Sequence, residues 1–270
     1  MKAAERGAYL PAGAHPSGAT CTARHAPAGA LGRHVASYFS VSLPAGSCGS
    51  VRTLPEGCAD LMFDLGNQPR AWLSGPRTRA RVFEHVGPVE MLGAQLQPGV
   101  ARLLTSTPAR ELLDATLPLE RMLPGGARAV PALLERLVSV PDTSARCAEL
   151  NRFLLERFAG AAVDPRISRA VEHIIERAGS ADVTELARAV AASPRNLTRL
   201  FHAWVGTSPK LLSRMVRFQN VLGHLASGAN LDWAALAAEL GYADQSHLIR
   251  DFSDFAQLSP GALHSPRRTT

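Results

Sequence analysis

A helical pattern occurs twice between residues 183 and 259, and this duplication constrains the chain more than any other feature of its sequence. The first copy begins at Leu186 and the second at Leu236, an offset of 50 residues. The offset becomes 51 at the two Ser-Pro pairs that end the copies, at Ser208 and Ser259. Each copy predicts a short helix, a tight turn and a second helix that opens at a capping residue, which is the helix-turn-helix arrangement.

A single long helix is predicted between the two copies, from Ser208 to about Ala226. At about 1.5 Å per residue, its roughly 19 residues would span about 28 Å. Successive major grooves on one face of DNA lie about 34 Å apart. The helix could therefore hold two reading helices near that separation, with some bending of the DNA.

The charges are unevenly distributed along this region. The whole chain carries a net charge of +6, and residues 186–231 contain no Asp or Glu. The basic residues of that segment are Arg188, Arg195, Arg199, Lys210, Arg214 and Arg217. A basic run is usually just a solvated surface, but this one coincides with a helix-turn-helix unit and so favours contact with phosphates. The following segment is acidic, and we expect Asp251 and Asp254 there to repel phosphate.

The second helix of the first copy supplies the main candidates for DNA contact. Residues near the start of such a helix reach base edges in the major groove. Arginine can bind guanine through two hydrogen bonds, asparagine can do the same with adenine, and threonine can contact a thymine methyl. An ordinary hydrated helix surface is the alternative interpretation. The predicted contacts are Ser193, Arg195, Asn196, Thr198, Arg199 and His202.

The second copy offers a weaker set of candidates. Gln245 has the same adenine-reading chemistry as asparagine, and an outward Ile249 would suit a thymine methyl. We expect the first copy to supply most of the affinity and the second to add discrimination. The predicted contacts here are Gln245, Ser246, Ile249 and Arg250.

These residues carry a resemblance to a known family. Residues 238–252, AELGYADQSHLIRDF, resemble the signature of AraC/XylS-type transcription regulators, and SPRNLTRLF at 193–201 with GTSP at 206–209 resembles the first unit of that family. The resemblance covers about residues 166–264. It implies a bacterial, cytoplasmic promoter regulator, such as an activator, with double-stranded DNA and RNA polymerase as partners. The base-reading positions of the family fall on Arg195, Thr198, Arg199, Gln245, Ser246, Ile249 and Arg250.

Two residues depart from the family pattern. Ala191 stands in the first turn, and Gln257 follows the last helix, where glycine is usual. Left-handed backbone geometry costs an L-residue roughly 1–2 kcal/mol. We therefore expect the first turn to differ and the end of the last helix to be drawn out.

The N-terminal half predicts short strands separated by Pro- and Gly-rich turns, followed by helices after Pro98. The predicted strands are Val35–Val41, Cys58–Leu65, Ala71–Ser74, Arg81–Val86 and Val89–Gln97. The fold class is α+β: a small, cupin-like β-barrel or sandwich with helices that pack on the sheet or on a second subunit, and then an all-α domain. The expected divisions are a mobile tail at 1–30 (or a short docked strand), a sensor or dimerisation domain at 31–159, a linker at 160–165, a DNA-binding domain at 166–264 and a frayed tail at 265–270.

The N-terminal half also resembles the sensor-like domain of a less studied branch of the same family, through LPEGCADLMF at 54–63, GPR at 75–77 and QPG at 97–99. This resemblance implies control by a small-molecule effector. Asp60, Trp72, Arg77 and Gln95 are predicted to line its pocket. Alternatively, Trp72 belongs to the core and the polar groups lie on the surface or pair with each other. The domain could also serve only dimerisation, giving a homodimer, or have enzyme activity.

Other classes of function find little support in the sequence. A metal-using cupin would need clustered histidines, but His85 stands alone among the strands beyond His34, so we expect no metal, no cofactor and no catalytic residues. A thiol enzyme based on Cys58 and Asp60 lacks a nearby histidine in the sequence. Cys48 and Cys58 could pair, but without a signal peptide we assign them as reduced. There is no apolar run of about 18 residues, so we expect no membrane partner.

Overall fold

The computed structural model describes residues 21–27, 29–140, 142–226 and 231–264. A β-rich N-terminal domain is followed by a helical C-terminal domain that carries the helix-turn-helix units, as the sequence predicts. The segments 1–20 and 265–270, expected to be mobile and frayed, lie outside the described residues.

The strands of the N-terminal domain form two antiparallel sheets. The strands are β1 (Cys21–His25), β2 (Val35–Leu43), β3 (Cys48–Thr53), β4 (Asp60–Asp64), β5 (Arg70–Ser74), β6 (Arg81–Val86), β7 (Val89–Leu96) and β8 (Thr116–Pro118). The larger sheet has the order β1-β2-β7-β4-β5-β8, and a separate two-stranded sheet pairs β3 with β6.

Strand β1 corrects part of the expected N-terminal tail. Residues 21–25 pair with β2, with Arg24 opposite Phe39 and His25 opposite Tyr38. The hydrogen bonds of an edge strand fix this segment without any apolar run of its own. The alternative of a short docked strand is therefore correct for these residues, and a mobile tail is wrong for them.

The larger sheet separates its residues between two faces, because successive side chains of a strand point to opposite sides. Leu61, Phe63 and Leu73 point to one face and belong to the main core of the domain. Asp60, Met62 and Trp72 point to the other face and line a cavity. The alternation of apolar and polar residues in β4 therefore places the core and the cavity on opposite sides of one strand.

The helices of the N-terminal domain close the core side of the sheet. They are α1 (Ala101–Leu104), α2 (Ala109–Leu112), α3 (Leu119–Met122), α4 (Gly126–Ser139) and α5 (Thr143–Arg157). Leu133 and Leu137 of α4 and Leu150 and Leu154 of α5 are buried in the same core as the sheet residues. The sequence allowed these helices to pack on the sheet or on a second subunit, and in the structure they pack on the sheet.

The C-terminal domain is helical throughout its described residues. Its elements are α6 (Pro165–Glu176), α7 (Val183–Ala189), α8 (Pro194–Trp204), α9 (Pro209–Ala226), α10 (Trp233–Glu239), α11 (Gln245–Ala256) and α12 (Pro260–His264). The long helix α9 has 18 residues and joins the two helix-turn-helix units, as predicted. At about 1.5 Å per residue it is about 27 Å long. No helix in the described ranges is both long enough and apolar enough to cross a membrane.

Candidate nucleic-acid interface and sensor cavity

The two helix-turn-helix units are built by the same local interactions. Asp182 caps α7 and Asp232 caps α10, each accepting hydrogen bonds from two backbone N–H groups of the helix it opens. Ser193 caps α8 and Asp244 caps α11 in the same way, by accepting from the residue three positions on. Such caps satisfy the N–H groups that have no partner within the helix.

The two turns also match, in spite of the alanine in the first one. Ala191 has a φ of 50° and Gly241 a φ of 72°, so both are left-handed. The N–H of Ala192 donates to the carbonyl of Ala187 at 2.9 Å, and Tyr242 donates to Ala237 at the same distance. The expectation that Ala191 changes the first turn is therefore wrong, and the chain accepts the strain instead.

The same correction applies at the end of α11. Gln257 has a φ of 55° and ends the helix at Ala256 without drawing it out. Its counterpart after α8 is Gly206, with a φ of 87°. The hydrogen bonds of the helix end thus enforce the left-handed conformation on glutamine as they do on glycine.

The predicted contacts on α8 have different surroundings. Arg195, Arg199 and His202 are exposed, whereas Asn196 and Thr198 are half-buried. The Nη2 of Arg199 donates to the Oδ1 of Asn196 at 2.8 Å, and the hydroxyl of Thr198 donates to the carbonyl of Pro194 at 2.9 Å. The exposed Ser193 uses its Oγ to cap the helix, so its own O–H can still donate to a phosphate. The side chains of Arg195, Arg199 and His202 are thus the exposed ones of the set predicted within α8.

On α11 the predicted set is less uniform. Gln245, Ser246 and Arg250 are exposed. Ile249 is half-buried and packs against the core of the second unit, so the expectation of an outward isoleucine is only partly met. The apolar side chain is stabilised by its neighbours and does not need a thymine methyl to explain its position.

Two arginines of the basic segment are used inside the protein. Arg214 donates to Asp251 at 2.7 Å and to Asp254 at 3.1 Å, and Asp251 is only 3% exposed. Arg217 donates to the carbonyl of Gly179 at 3.0 Å and lies over the ring of Tyr242. The expectation that Asp251 repels phosphate is therefore wrong, because its charge is buried and paired. This ion pair fixes α11 against α9.

Four cations of the basic segment are exposed and form no ion pair within the described residues. Each has an exposed side chain, and in the described part of the chain none is within 4.0 Å of a carboxylate. These are Arg188, Arg195, Arg199 and Lys210. They belong to the first unit and the start of α9, so the positive charge of the basic segment that has no ion-pair partner is concentrated there.

On the N-terminal domain, a cavity of about 780 Å³ lies against the face of the larger sheet opposite the core. All four residues predicted to line an effector pocket, Asp60, Trp72, Arg77 and Gln95, line this cavity. Phe39 lies over Gly93, where a Cβ atom would collide with its ring. The glycine therefore allows an aromatic side chain to form part of the wall.

Polar groups gather at one end of this cavity. Asp60 and Gln95 are direct partners across β4 and β7. The Nε2 of Gln95 donates to a carboxylate oxygen of Glu56, and Arg77 donates to the hydroxyl of Ser74 at 2.7 Å. The rest of the wall is mainly apolar.

Burial changes the acidity of this polar end. It raises the pKa of Asp60 to about 8, and the nearby negative charge of Glu56 contributes to the increase. Burial also raises the pKa of Glu56 and lowers the pKa of Arg77. The two carboxyl groups therefore hold a proton that exposed carboxyl groups would have lost at neutral pH.

Comparison with known families identifies the C-terminal region. The family described as a helix-turn-helix domain matches residues 186–265. This is an AraC-type helix-turn-helix domain. The chain is accordingly a DNA-binding transcription regulator whose C-terminal region is of the AraC type.

The N-terminal region of the regulator matches a second family, described as a domain of unknown function (DUF6597), over residues 23–118. No curated protein sequence matches the regulator.

Among solved structures, ToxT from Vibrio cholerae at 1.65 Å is 11% identical, with a TM-score of 0.42, and the match covers 84% of this chain and 97% of ToxT. Unsaturated fatty acid-bound ToxT from strain SCE256 is 12% identical, with a TM-score of 0.37 and coverage of 86% and 93%.

The sequence did not predict that the DNA-binding domain of the regulator contributes to the cavity. Gln219 and Leu222 of α9 line it, together with Glu56 and Arg24 of the N-terminal domain. In the sequence, Gln219 is a polar residue between the apolar residues Phe218 and Val221 on the buried face of a long helix. This pattern could have indicated that Gln219 contacts a polar group inside the protein. No comparable signal marked Arg24, which lies in the expected tail.

The two domains of the regulator are joined by direct contacts. The Nε2 of Gln219 donates to the carbonyl of Pro55 at 2.6 Å, and Gly57 is so close to Leu212 that a Cβ atom would collide with it. At the end of α11, the carbonyl of Phe255 accepts from the N–H of Ala80 at 2.8 Å. The N-terminal domain thus contacts both the connecting helix and the second reading helix.

The surroundings of the cysteines do not favour thiol catalysis. Cys58 is buried, and burial together with Glu56 and Asp60 raises the pKa of its thiol well above its usual value. A nucleophilic cysteine needs the opposite shift. Cys48 and Cys58 are both free thiols and do not pair. Within the described residues, no group of three or more His, Cys, Asp or Glu side chains is placed to hold a metal ion.

Proposed function

We propose that the regulator reads two adjacent major grooves with α8 and α11, and that a small molecule in the N-terminal cavity controls this reading. The observation that carries the proposal is that helix α9 belongs both to the helix-turn-helix region and to the wall of the cavity. The helix joins the two reading units, and its residues Gln219 and Leu222 also line the cavity. A ligand in the cavity would therefore contact the element that sets the spacing of the reading helices.

The first unit provides both anchoring and base recognition in this proposal. Arg188 and Lys210 are exposed cations that neutralise phosphates. Arg195 and Arg199 lie near the start of α8, from which a guanidinium group reaches guanine through two hydrogen bonds. On α11, Gln245, Ser246 and Arg250 supply the second set of contacts, and Ile249 adds only its exposed edge.

The base-reading role of Arg199 can be tested on the full chain. Genome-wide mapping of bound DNA gives the operator, and fluorescence anisotropy then measures the affinity of Arg199→Ala. Because a bidentate arginine–guanine pair provides about 1–3 kcal/mol of discrimination, we expect a loss of roughly 5- to 150-fold on the operator and relaxed preference at one base.

The matched control for this test is Arg169→Ala. Arg169 is an exposed arginine of α6 that pairs with Glu172 on its own helix. This variant should bind as the parent does. An Arg199→Ala variant that keeps the affinity and base preference of the parent would exclude this residue from base recognition.

The remaining partners belong to the same proposal. As an activator the regulator would contact RNA polymerase, and we place it in the cytoplasm because its partner is DNA.

A purely dimerising N-terminal domain is the second candidate, because Val82, Phe83 and Val86 of β6 are exposed apolar residues and Val86 is 91% exposed. Two measurements decide between small-molecule control and dimerisation alone. Light scattering after gel filtration shows whether Val86→Lys converts a dimer into a monomer, and anisotropy shows whether small molecules change the operator affinity. A monomeric variant together with an operator affinity that no small molecule changes would favour dimerisation alone.

A further inference from the structure

The polar end of the cavity contains buried atoms that lack hydrogen-bond partners. They are Asp60 Oδ1, Arg77 Nη1, Gln95 Oε1 and Gln219 Oε1. All four residues line the cavity. Buried polar groups are normally satisfied, and each one left without a partner costs free energy. A cluster of them at one end of a cavity therefore indicates the chemistry of what binds there.

The orientations of the two amide side chains are fixed by their partners. The nitrogen of Gln95 donates to the carboxylate of Glu56, and the nitrogen of Gln219 donates to the carbonyl of Pro55. The carbonyl of Pro55 can only accept, and the carboxylate of Glu56 accepts when the proton of the pair lies on Asp60, so the oxygens of Gln95 and Gln219 are the unpartnered atoms. With the Oδ1 of Asp60, they make three hydrogen-bond acceptors without a partner. Among the described residues, the only unpartnered donor beside them is the Nη1 of Arg77.

These acceptors lie close to one another around Glu56. Gln95 contacts Glu56 and is the direct partner of Asp60 across the sheet. Gln219 contacts Pro55, which directly precedes Glu56. The group that satisfies them must therefore be compact and must carry several hydrogen-bond donors.

The unsatisfied acceptors at this end favour a cation. Glu56 and Asp60 are two carboxyl groups set deep in the protein, and the charges of both Arg24 and Arg77 act on them. Each arginine already donates to a serine hydroxyl, Arg24 to Ser37 and Arg77 to Ser74, so neither supplies the missing donors to the acceptor atoms. An anionic ligand would meet both carboxyl groups. A cation would compensate them, with hydrogen bonds to ionised groups that are roughly twice as strong as those between neutral groups.

The remaining wall of the cavity is suited to an apolar body. Phe39, Met62, Trp72, Met91 and Leu222 line it. Aromatic rings and methionine sulfur both pack well against aromatic ligands. The cavity is thus amphipathic, with a donor-seeking end and an aromatic- and methionine-rich wall.

We propose that the cavity binds an organic cation, an amine or amidine on an aromatic or cyclic hydrocarbon body, whose cationic group donates to Asp60 and Gln95 beside Gln219 of α9. This inference rests on the proposed function, since it names the ligand class of the proposed sensor cavity. Binding draws the proton from the Asp60–Glu56 pair, so protons are released into the buffer.

The experiment compares three head groups on one body. Biphenyl-4-ylmethylamine, biphenyl-4-ylmethanol and biphenyl-4-carboxylate are titrated into the full chain by calorimetry, in buffers of different ionisation enthalpy. We expect the amine to bind roughly tenfold or more tightly than the alcohol and the acid, and to release protons near pH 7. A preference for the acid, equal binding of all three, or no binding of the amine up to about 1 mM would overturn the proposal.

Variants locate the site and separate the two proposals. Asp60→Asn and Glu56→Gln should each remove the preference for the amine, whereas Glu90→Gln, on the same sheet but paired with Arg146 outside the cavity, should not. Loss of the preference in Glu90→Gln, or its persistence in both cavity variants, would also overturn it. Operator affinity measured with and without each probe is a separate readout: an amine that binds without changing this affinity refutes small-molecule control and leaves the ligand class intact.

Discussion

Two of the non-glycine residues with left-handed backbones, Ala191 and Gln257, occupy positions where the other copy of the repeat has glycine, and each therefore gives a prediction with an internal control. At Ala191 the repeat has alanine where the second copy has Gly241, and the local hydrogen bonds are the same in both. Left-handed geometry costs an L-residue roughly 1–2 kcal/mol. The greater freedom of glycine in the unfolded chain returns roughly 0.5–1 kcal/mol. We therefore expect Ala191→Gly to stabilise the C-terminal domain by about 0.5–1 kcal/mol.

The reverse exchange should lower the free energy of unfolding, and by a larger amount. In Gly241→Ala, the new Cβ atom would lie 3.1 Å from the Cβ of Ser180, so a close contact adds to the backbone cost. At the second pair, Gln257→Gly should stabilise by the same amount as Ala191→Gly. Gly206→Ala should be the most harmful of the four, since its Cβ would collide with the carbonyl of Ala109.

Urea unfolding followed by tryptophan fluorescence measures these changes, because Trp204 and Trp233 both belong to the C-terminal domain. The transition midpoint should move while its slope against urea stays the same. In a thermal scan, the expected gain for Ala191→Gly corresponds to about 2 °C. A lower midpoint for Ala191→Gly would refute the reasoning, because glycine would then act only as a weak helix residue.

Three further predictions concern charge and acidity. Lys210→Ala should reduce the slope of log affinity against log salt by about 0.9, measured by anisotropy, if this exposed lysine contacts one phosphate; an unchanged slope would remove it from the interface. In native protein, iodoacetamide should modify the exposed Cys48 while sparing the buried Cys58, as peptide mass spectrometry would reveal; early labelling of Cys58 would contradict its raised pKa. Because the pKa of Asp60 rises from an ordinary 3.8 to about 8 on folding, the folded chain binds a proton that the unfolded chain has lost, so stability should fall as the pH rises from about 4 towards 8. Asp60→Asn should flatten that dependence in thermal unfolding, and a wild-type profile that rises over this range would refute it.

Local signals in the sequence were sufficient for the helices of the C-terminal domain. Ser193 with Pro194, and Ser208 with Pro209, mark the starts of α8 and α9 where the structure has them, because a cap followed by proline acts within a single helical turn. The same locality explains why a family resemblance could be found in this region. Whether the predicted contacts bind DNA stays a prediction.

Features that depend on contacts between distant parts of the chain could not be predicted from local sequence signals. The pairing of Arg214 with Asp251 joins residues 37 positions apart, so in the sequence they look like members of two opposed surface blocks. The edge strand β1 has no apolar pattern and is held by its hydrogen bonds to β2. For the cavity, the alternation in β4 placed Asp60 on the face opposite Leu61, but only the folded chain brings Gln219 to the same place.

The close contact between Gly57 and Leu212 also affects how this regulator can be rebuilt. Cutting the chain at residues 160–165 and attaching a foreign sensor would uncover Leu212 and Met215, both of which are almost completely buried. Useful chimeras must keep the 54–58 loop with the connecting helix, or exchange both as one unit. The recombination boundary therefore follows a surface in three dimensions and not a point along the chain.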